Sequence, residues 1–400
     1  MTEGGPPRRR AALVLVTPDG AVVGRLPPVP VATPWWQDIA PVVAAAREHH
    51  GIDVTVLRLL EADRPAPPGG IVTYLAEVPE LVAAKTWSGT LTDHPLRQAY
   101  ARPGGPAADL AWARSVLAEN GLELTAAPQQ IRTWNLSSLW RLPIAGGSAW
   151  LKSVPPFFAH ESAVLELLSG EPVPRLLGHD GGRVVLAEVP GEDLHGAGLP
   201  QLLPMVELLV GLQRGFVGRT GELLALGLPD WRASALADAV SHVFARHRAG
   251  LDPAEAASLD RFIDTLPARF AEVAACGIPD TLVHGDFHPG NLRGGDGRLT
   301  LLDWGDSGVG HPLLDEAAFL DRVPNGAVET VRGHWHRLWQ AALPDADPNR
   351  ASTLLAPVAA ARQAVIYQTF LDNIEPAEHP YHRADPLDWL RRTAVLLARR

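Results

Sequence analysis

Residues Thr281–Leu292 read TLVHGDFHPGNL, and the run Leu299–Gly305, LTLLDWG, follows closely, placing Asp303 twelve positions after Asn291. Between them these two stretches set a carboxylate, Asp286, five residues ahead of a side-chain amide, Asn291, and bring a second carboxylate off the end of a short apolar run. A polar turn at Pro289-Gly290 that closes a strand would explain the local composition. It would not explain a lysine and a glutamate upstream that complete the same chemistry.

That chemistry is phosphoryl transfer. It needs a carboxylate to orient an attacking hydroxyl and accept its proton, and an amide and a carboxylate to hold Mg²⁺ against nucleotide phosphates. A rival reading takes His284, Asp286 and His288 as three ligands of a hydrolytic metal ion. Asn291 and Asp303 then have no role.

With Gly285 after His284, HPGN at 288–291 and DWGDSGVGHPLLD at 303–315, the region resembles the aminoglycoside phosphotransferase and choline kinase family of small-molecule kinases. The signature of that family is HGDxxxxN followed by DWxxxxxGxPxxD, and the resemblance runs from about Gln130 to the C-terminus. It implies a protein-kinase-like fold, ATP and Mg²⁺ as cofactors, Asp286 as catalytic base, and Asn291 and Asp303 as metal ligands. His284 and Asp315 are then braces of the loop and the following helix, and Asp306 stays open.

The chain contains 33 Arg and only two Lys, Lys85 and Lys152. A lysine retained against that bias points to a chemical use. Lys152 lies in SAWLKSV (148–154), where alternation predicts a strand that puts it on one face with Trp150 and Val154. An unpaired ammonium there would be costly, so an anionic partner is expected. Nine residues on, Glu161, Val164, Leu167 and Leu168 fall on one helical stripe that stops at Gly170. A snorkelling Lys and a solvated Glu are the alternative. In the family resembled, the order Lys152, Glu161, Asp286, Asn291, Asp303 is that of the kinase site, Lys152 grasping the nucleotide phosphates and Glu161 orienting it.

Trp134–Leu142 and Ser148–Lys152 read as two strands joined by the turn PIAGG at 143–147. The resemblance puts a phosphate-covering loop in this hairpin. Asn135, Leu136, Ser137 and Ser138 stand where glycines are usual, so Ser137 and Ser138 become the candidate phosphate donors. The strand Arg183–Glu188 runs into Val189-Pro190-Gly191, the expected hinge. Pro190 lacks an N–H, which leaves Glu188 and Val189 as the adenine contacts.

Four hundred residues, 46% hydrophobic, suit two or three globular domains. No apolar stretch approaches the roughly 20 residues of a spanning helix, and MTEGGPPRRR lacks a signal-peptide core, so a cytoplasmic protein without membrane partners is expected. One cysteine, Cys276, fits a reducing compartment. The net charge is −10, and from Gly191 onward 19 Arg face 27 Asp and Glu. That disfavours a nucleic-acid partner and permits an amine-bearing acceptor, with Asp372, Glu375, Glu378 and Asp385 as acidic candidates.

Ahead of the kinase-like region, a hairpin at Ala11–Gly24, a helix at Ile39–His50 and strands at Val54–Leu60 and Ile71–Val78 are expected, then a helix over Ala107–Asn120. AAAREHHGI at 44–52 faintly resembles an eroded Nudix box that keeps only Glu48, with His49 beside it, so pyrophosphate hydrolysis is not expected. The expected fold class is α+β: a two-lobed protein-kinase-like fold, with a small β-rich N-lobe at 130–190 and a mostly helical C-lobe at 191–400. An α/β extension over 1–80 and a helical linker over 81–129 precede it. The expected function is ATP-dependent phosphorylation of a small-molecule hydroxyl. A catalytically inactive nucleotide-binding pseudokinase is the alternative, against which five polar positions stand in register.

Overall fold

The computed structural model describes residues 6–295 and 297–398, and the chain divides into two compact units. The first takes residues up to Ser162, then 175–188 and 370–383; the second takes 163–174, 189–369 and Ala384 onward.

The first unit opens with β1 (Arg9–Val16), β2 (Val22–Val31), α1 (Ala40–His50), β3 (Thr55–Ala62) and β4 (Gly70–Glu77). They form a sheet ordered β2-β1-β4-β3, with β1 and β4 parallel and the outer pairs antiparallel. β1 is buried at seven of its eight positions, as a central strand covered on both faces must be. On one face Leu13, Leu15, Tyr74 and Trp36 pack with Val42 and Ala46 of α1; on the other lie Val14, Val16, Leu57 and Leu75. Glu48 is exposed on α1.

A second sheet of the same unit contains β5 (Gln129–Trp134), β6 (Ser137–Ile144) and β7 (Gly147–Ser153), and continues after α3 (Glu161–Leu167) with β8 (Leu176–Asp180) and β9 (Arg183–Ala187). Its order is β5-β6-β7-β9-β8, antiparallel throughout. The helix α2 (Gly105–Glu119) covers one face, where Ala113, Val116 and Leu117 meet Trp140, Leu142, Leu151 and Val185. Asp109 of α2 is buried there and accepts from Ser153 Oγ at 2.7 Å.

Two features depart from the sequence expectation. Trp134–Leu142 is not one strand: the chain reverses at Asn135-Leu136, pairing Trp134 with Ser137, and again at Ala145-Gly146. Gly146, at φ +79°, supplies the left-handed residue of the second turn. The first turn holds no Gly or Pro, so it left no local signal. Distant residues stabilise it instead, because Asn135 Nδ2 donates to Glu378 O and Tyr100 Oη donates to the Asn135 carbonyl.

The acidic residues of the 370–383 segment also serve a different purpose from the one expected. Glu375 and Glu378 are buried in the first unit rather than presented to an acceptor. Glu375 accepts a two-pronged bond from Arg97, at 3.1 and 2.6 Å, and lies 3.8 Å from Arg58. Glu378 Oε1 accepts from Leu59 N of β3 at 3.0 Å, while its Oε2 is buried without a hydrogen-bond partner. Tyr381 enters the core of the first sheet, edge-on to Trp36 and Trp134. The side chain of Gln130 bonds Val56 N and O at 2.9 and 2.6 Å, so the N-terminal sheet and the second sheet are stitched directly.

The second unit comprises β10 (Glu192–Asp193), α4 (Leu199–Gly215), α5 (Thr220–Ala225), α6 (Ala233–His247) and α7 (Pro253–Ala275), then β11 (Thr281–Val283), β12 (Leu292–Gly295), β13 (Arg298–Leu301) and β14 (Gly308–Gly310). The helices α8 (Leu314–Leu320), α9 (Val328–Ala342), α10 (Pro348–Asn373) and α11 (Asp385–Ala398) complete it. The helix α7 starts at a capping box, in which Asp252 accepts from Ala254 N and Glu255 N and Glu255 returns to Asp252 N. It delivers the chain to β11, which pairs antiparallel with β14. No helix among the described residues is long and apolar enough to cross a membrane.

Burial pushes the Glu378 carboxyl up to about 8. A carboxyl raised on folding lends its stability below the unfolded value and loses it as pH climbs through the folded one. Unfolding free energy is therefore expected to fall between about pH 4.5 and 8 by on the order of a few kcal/mol. Glu378→Gln should flatten that slope, a difference that urea denaturation across this pH range measures.

Candidate active site

Lys152 stands on β7, registered between Leu139 of β6 and Val184 of β9, on the face opposite α2. Its Nζ lies 2.8 Å from Glu161 Oε1 at the first position of α3. The lysine side chain is 14% exposed and the glutamate 3%, so the pair is largely removed from water, where each charge requires the other.

The remaining predicted residues of this unit fall in different places. Ser138 lies on the α2 face, opposite Lys152, and is 1% exposed; its Oγ accepts from Trp140 Nε1 at 3.1 Å. This burial takes it out of the phosphate-donor role expected from the sequence. Ser137, half-buried, accepts from Trp134 Nε1 at 3.2 Å. The side chain of Glu188, just past β9, accepts from Trp150 Nε1 at 3.1 Å, and the boundary between the two units falls between Glu188 and Val189.

In the second unit the turn after β11 is built around one buried carboxylate. Asp315, fully buried at the start of α8, accepts from His284 N at 2.9 Å, Gly285 N at 2.8 Å and Gln213 Nε2 at 3.0 Å. Burial pushes its carboxyl up, while His284, these backbone donors and Arg362 pull the other way. Gly285 has φ +90°, and a Cβ there would come within 1.9 Å of the Asp306 carbonyl oxygen. Only glycine fits.

His284, also fully buried, clamps the two loops together. Its Nε2–H donates to Leu302 O at 2.9 Å and its Nδ1 accepts from Asp286 N at 3.3 Å. Both ring nitrogens are used, and burial lowers its basicity, so the imidazole is neutral. This excludes it as a metal ligand and removes the hydrolase reading of the HGDFH run. Among the described residues no cluster of three His, Cys, Asp or Glu is placed to hold a metal ion by itself.

Asp286, Asn291 and Asp303 keep solvent exposure although most of their neighbours are buried. Asn291 Nδ2 donates to Asp286 O at 2.9 Å and to Asp286 Oδ2 at 3.2 Å, and His288 Nε2 stands 3.4 Å from the same Oδ2. The amide nitrogen is thus committed to Asp286, leaving Oδ1 as the acceptor of Asn291. The β12–β13 hairpin pairs Leu292 with Leu301, and Leu302 N donates to Asn291 O at 2.8 Å, which brings Asp303 beside Asn291. Asp303 is the one non-glycine with positive φ among the described residues, φ 59° and ψ 70°. Such a conformation costs of order 1–3 kcal/mol for most side chains and clusters at functional sites.

Arg362 was not foreseen. It is 1% exposed on α10, donates from Nη1 to Gly285 O at 3.4 Å, and lies over the Trp231 ring at 5.1 Å. Nothing in the sequence around it signals this, because its partner lies in a motif 77 residues away. Gln213, on α4, was missed for the same reason.

Asp315→Asn turns an acceptor into a donor against two backbone N–H groups. It should cost at least about 1–3 kcal/mol of stability in urea denaturation and lower turnover with it.

A sequence model described as "Phosphotransferase enzyme family" matches residues 144–352, more than half of the chain. Among solved structures, a choline kinase from Streptococcus pneumoniae is 13% identical, covering 74% of this chain and 100% of its own, at a TM-score of 0.52. A putative aminoglycoside phosphotransferase from Ralstonia eutropha is 17% identical, covering 73% and 98%, at 0.50. A choline kinase from Cryptosporidium parvum is 10% identical, covering 74% and 94%, also at 0.50. At these identities the likeness speaks for the fold. No curated protein matches the chain.

Proposed function

The chain belongs to the phosphotransferase enzyme family, as a small-molecule kinase acting on a hydroxyl, and from that premise we propose that ATP is its donor and Asp286 its catalytic base. The observation that carries this reading is the setting of Asp286. One carboxylate oxygen is pinned by Asn291 and His288, on a turn fixed by Asp315, while the side chain stays 45% exposed. A base must be both oriented and reachable.

Lys152, held by Glu161, is the group we assign to the nucleotide phosphates, with Ser137 and the backbone at Glu188 and Val189 as further nucleotide contacts. The donor set Asn291 Oδ1 and Asp303 carboxylate suits a hard cation such as Mg²⁺, which takes few protein oxygens and completes its shell with phosphate and water. When bound it would neutralise phosphate charge. An amine-bearing acceptor suits the net charge of −10 through steering.

Two measurements test the reading. Asp286→Asn keeps shape and loses the charge; turnover on an acceptor hydroxyl that the wild type phosphorylates should drop by roughly 10²–10⁴, about 3–5 kcal/mol of barrier, with ATP affinity little changed. An Asp286→Asn enzyme of near-normal turnover would move the base to His288 or Asp306. In thermal melts, Mg·ATP at a hundredfold excess over its dissociation constant should add about 2.7 kcal/mol to wild type and much less to Lys152→Ala. Equal shifts would remove the lysine from the nucleotide site.

A further inference from the structure

The second unit contains a cavity of about 470 Å³ lined by none of the residues assigned above to phosphoryl transfer. It lies at the Thr281/Gly310 end of the β11–β14 ribbon, whereas Asp286 follows the Val283/Gly308 end. The three residues of β11 separate the two, roughly 10 Å of extended chain. Much of the wall is apolar, with Trp231, Phe270 and Leu343 partly exposed in it.

One carboxylate lines this cavity, Asp280, and no Lys or Arg does. Asp280 is partly buried and makes neither hydrogen bond nor ion pair with the described residues. The nearby cation, Arg232, is committed elsewhere: its Nε and Nη2 fork onto Asp230 at 2.8 and 2.7 Å. Asp280 feels the attraction of Arg232 and the opposing repulsion of Asp230, but neither residue bonds to it. His311, the other titratable group of the wall, is buried and its basicity falls to about 3, so it stays neutral. Its Nδ1 accepts from Leu313 N, and its Nε2 is buried without a partner. The wall therefore carries one carboxylate without a hydrogen-bonded or ion-paired partner, next to aromatic and aliphatic surface. Burial raises the Asp280 carboxyl accordingly.

An anion would be repelled here, a hydrated inorganic cation would leave the apolar wall unused, and a neutral apolar molecule would bury Asp280 further without a partner. We propose that this cavity is a second ligand site, for a small organic ammonium whose nitrogen pairs with Asp280 and whose apolar body packs on Trp231, Phe270 and Leu343. The proposal stands independently of the phosphotransfer reading. Trp231 also joins the cavity to the catalytic turn, since Arg362 covers its ring and donates to Gly285 O.

The test is calorimetric titration of the full chain, without nucleotide, with benzylammonium and with its neutral counterpart of similar shape, benzyl alcohol. Saturable one-site binding of the ammonium is expected, with the alcohol at least about tenfold weaker, a difference of about 1.4 kcal/mol. Asp280→Asn should reduce the ammonium to the level of the alcohol, and acidification through the raised carboxyl should do the same to wild type. Ala274→Trp, which places an indole in the cavity, should weaken binding of both, with circular dichroism confirming the fold of each variant. Equal affinity for the alcohol, absence of ammonium binding, or a folded Asp280→Asn or Ala274→Trp protein that binds as wild type does would overturn the proposal. If Asp280→Asn fails to fold, the wild-type comparison and Ala274→Trp still decide.

Discussion

The HGD turn rests on Asp315. Three N–H donors converge on this carboxylate in a place closed to bulk solvent, two of them from consecutive backbone positions of the HGD turn. A buried carboxylate is expensive unless its oxygens are satisfied, and when they are satisfied it admits few alternative geometries. The positive φ of Gly285, the close approach of Asp306 O and the bond from Arg362 all follow from where those two N–H groups must point. The exposed groups Asp286, Asn291 and Asp303 inherit their positions from this buried frame, which is how a loop achieves the precision a reaction needs.

The same arrangement recurs at Lys152 and Glu161, where a charge pair sits in a mostly apolar setting. Such pairs contribute little net stability, because desolvation offsets their attraction. Their effect is to fix one geometry. By contrast, the cavity beside Asp280 and the buried Oε2 of Glu378 are places where a charge or polar atom lacks such compensation. The first faces an opening and the second is sealed, so only the first can be relieved by a ligand.

How much of this was legible in the sequence depended on range. The strands and helices of the first 120 residues followed from alternation and from glycine stops, and the Lys152–Glu161 pair followed from strand and helix phase over nine residues. The spacing of Asp286, Asn291 and Asp303 singled them out as a group, and the structure brings Asn291 onto Asp286 within five residues. The Asn135-Leu136 turn was not legible, since its stabilising partners, Glu378 and Tyr100, lie elsewhere in the chain. For the same reason Ser138 stands in the sequence as a candidate phosphate donor while strand phase turns it under α2, and Glu375 and Glu378 stand as acids for an acceptor while Arg97, Arg58 and Leu59 hold them in the core. Arg362 and Gln213 had no local signal at all.

The return of residues 370–383 into the first unit has a consequence for synthesis. Leu59 and Glu378 are 319 positions apart, and Tyr381 belongs to the core of the first sheet. As the chain leaves the ribosome, the N-terminal sheet therefore emerges with a gap in its core and an unmet N–H on β3 until the 319 residues that separate Leu59 from Glu378 have been made. At about 5–20 residues per second that wait lasts on the order of tens of seconds. During this interval the nascent sheet exposes apolar surface that the finished protein hides, which makes it a natural client for a chaperone acting on ribosome-bound chains.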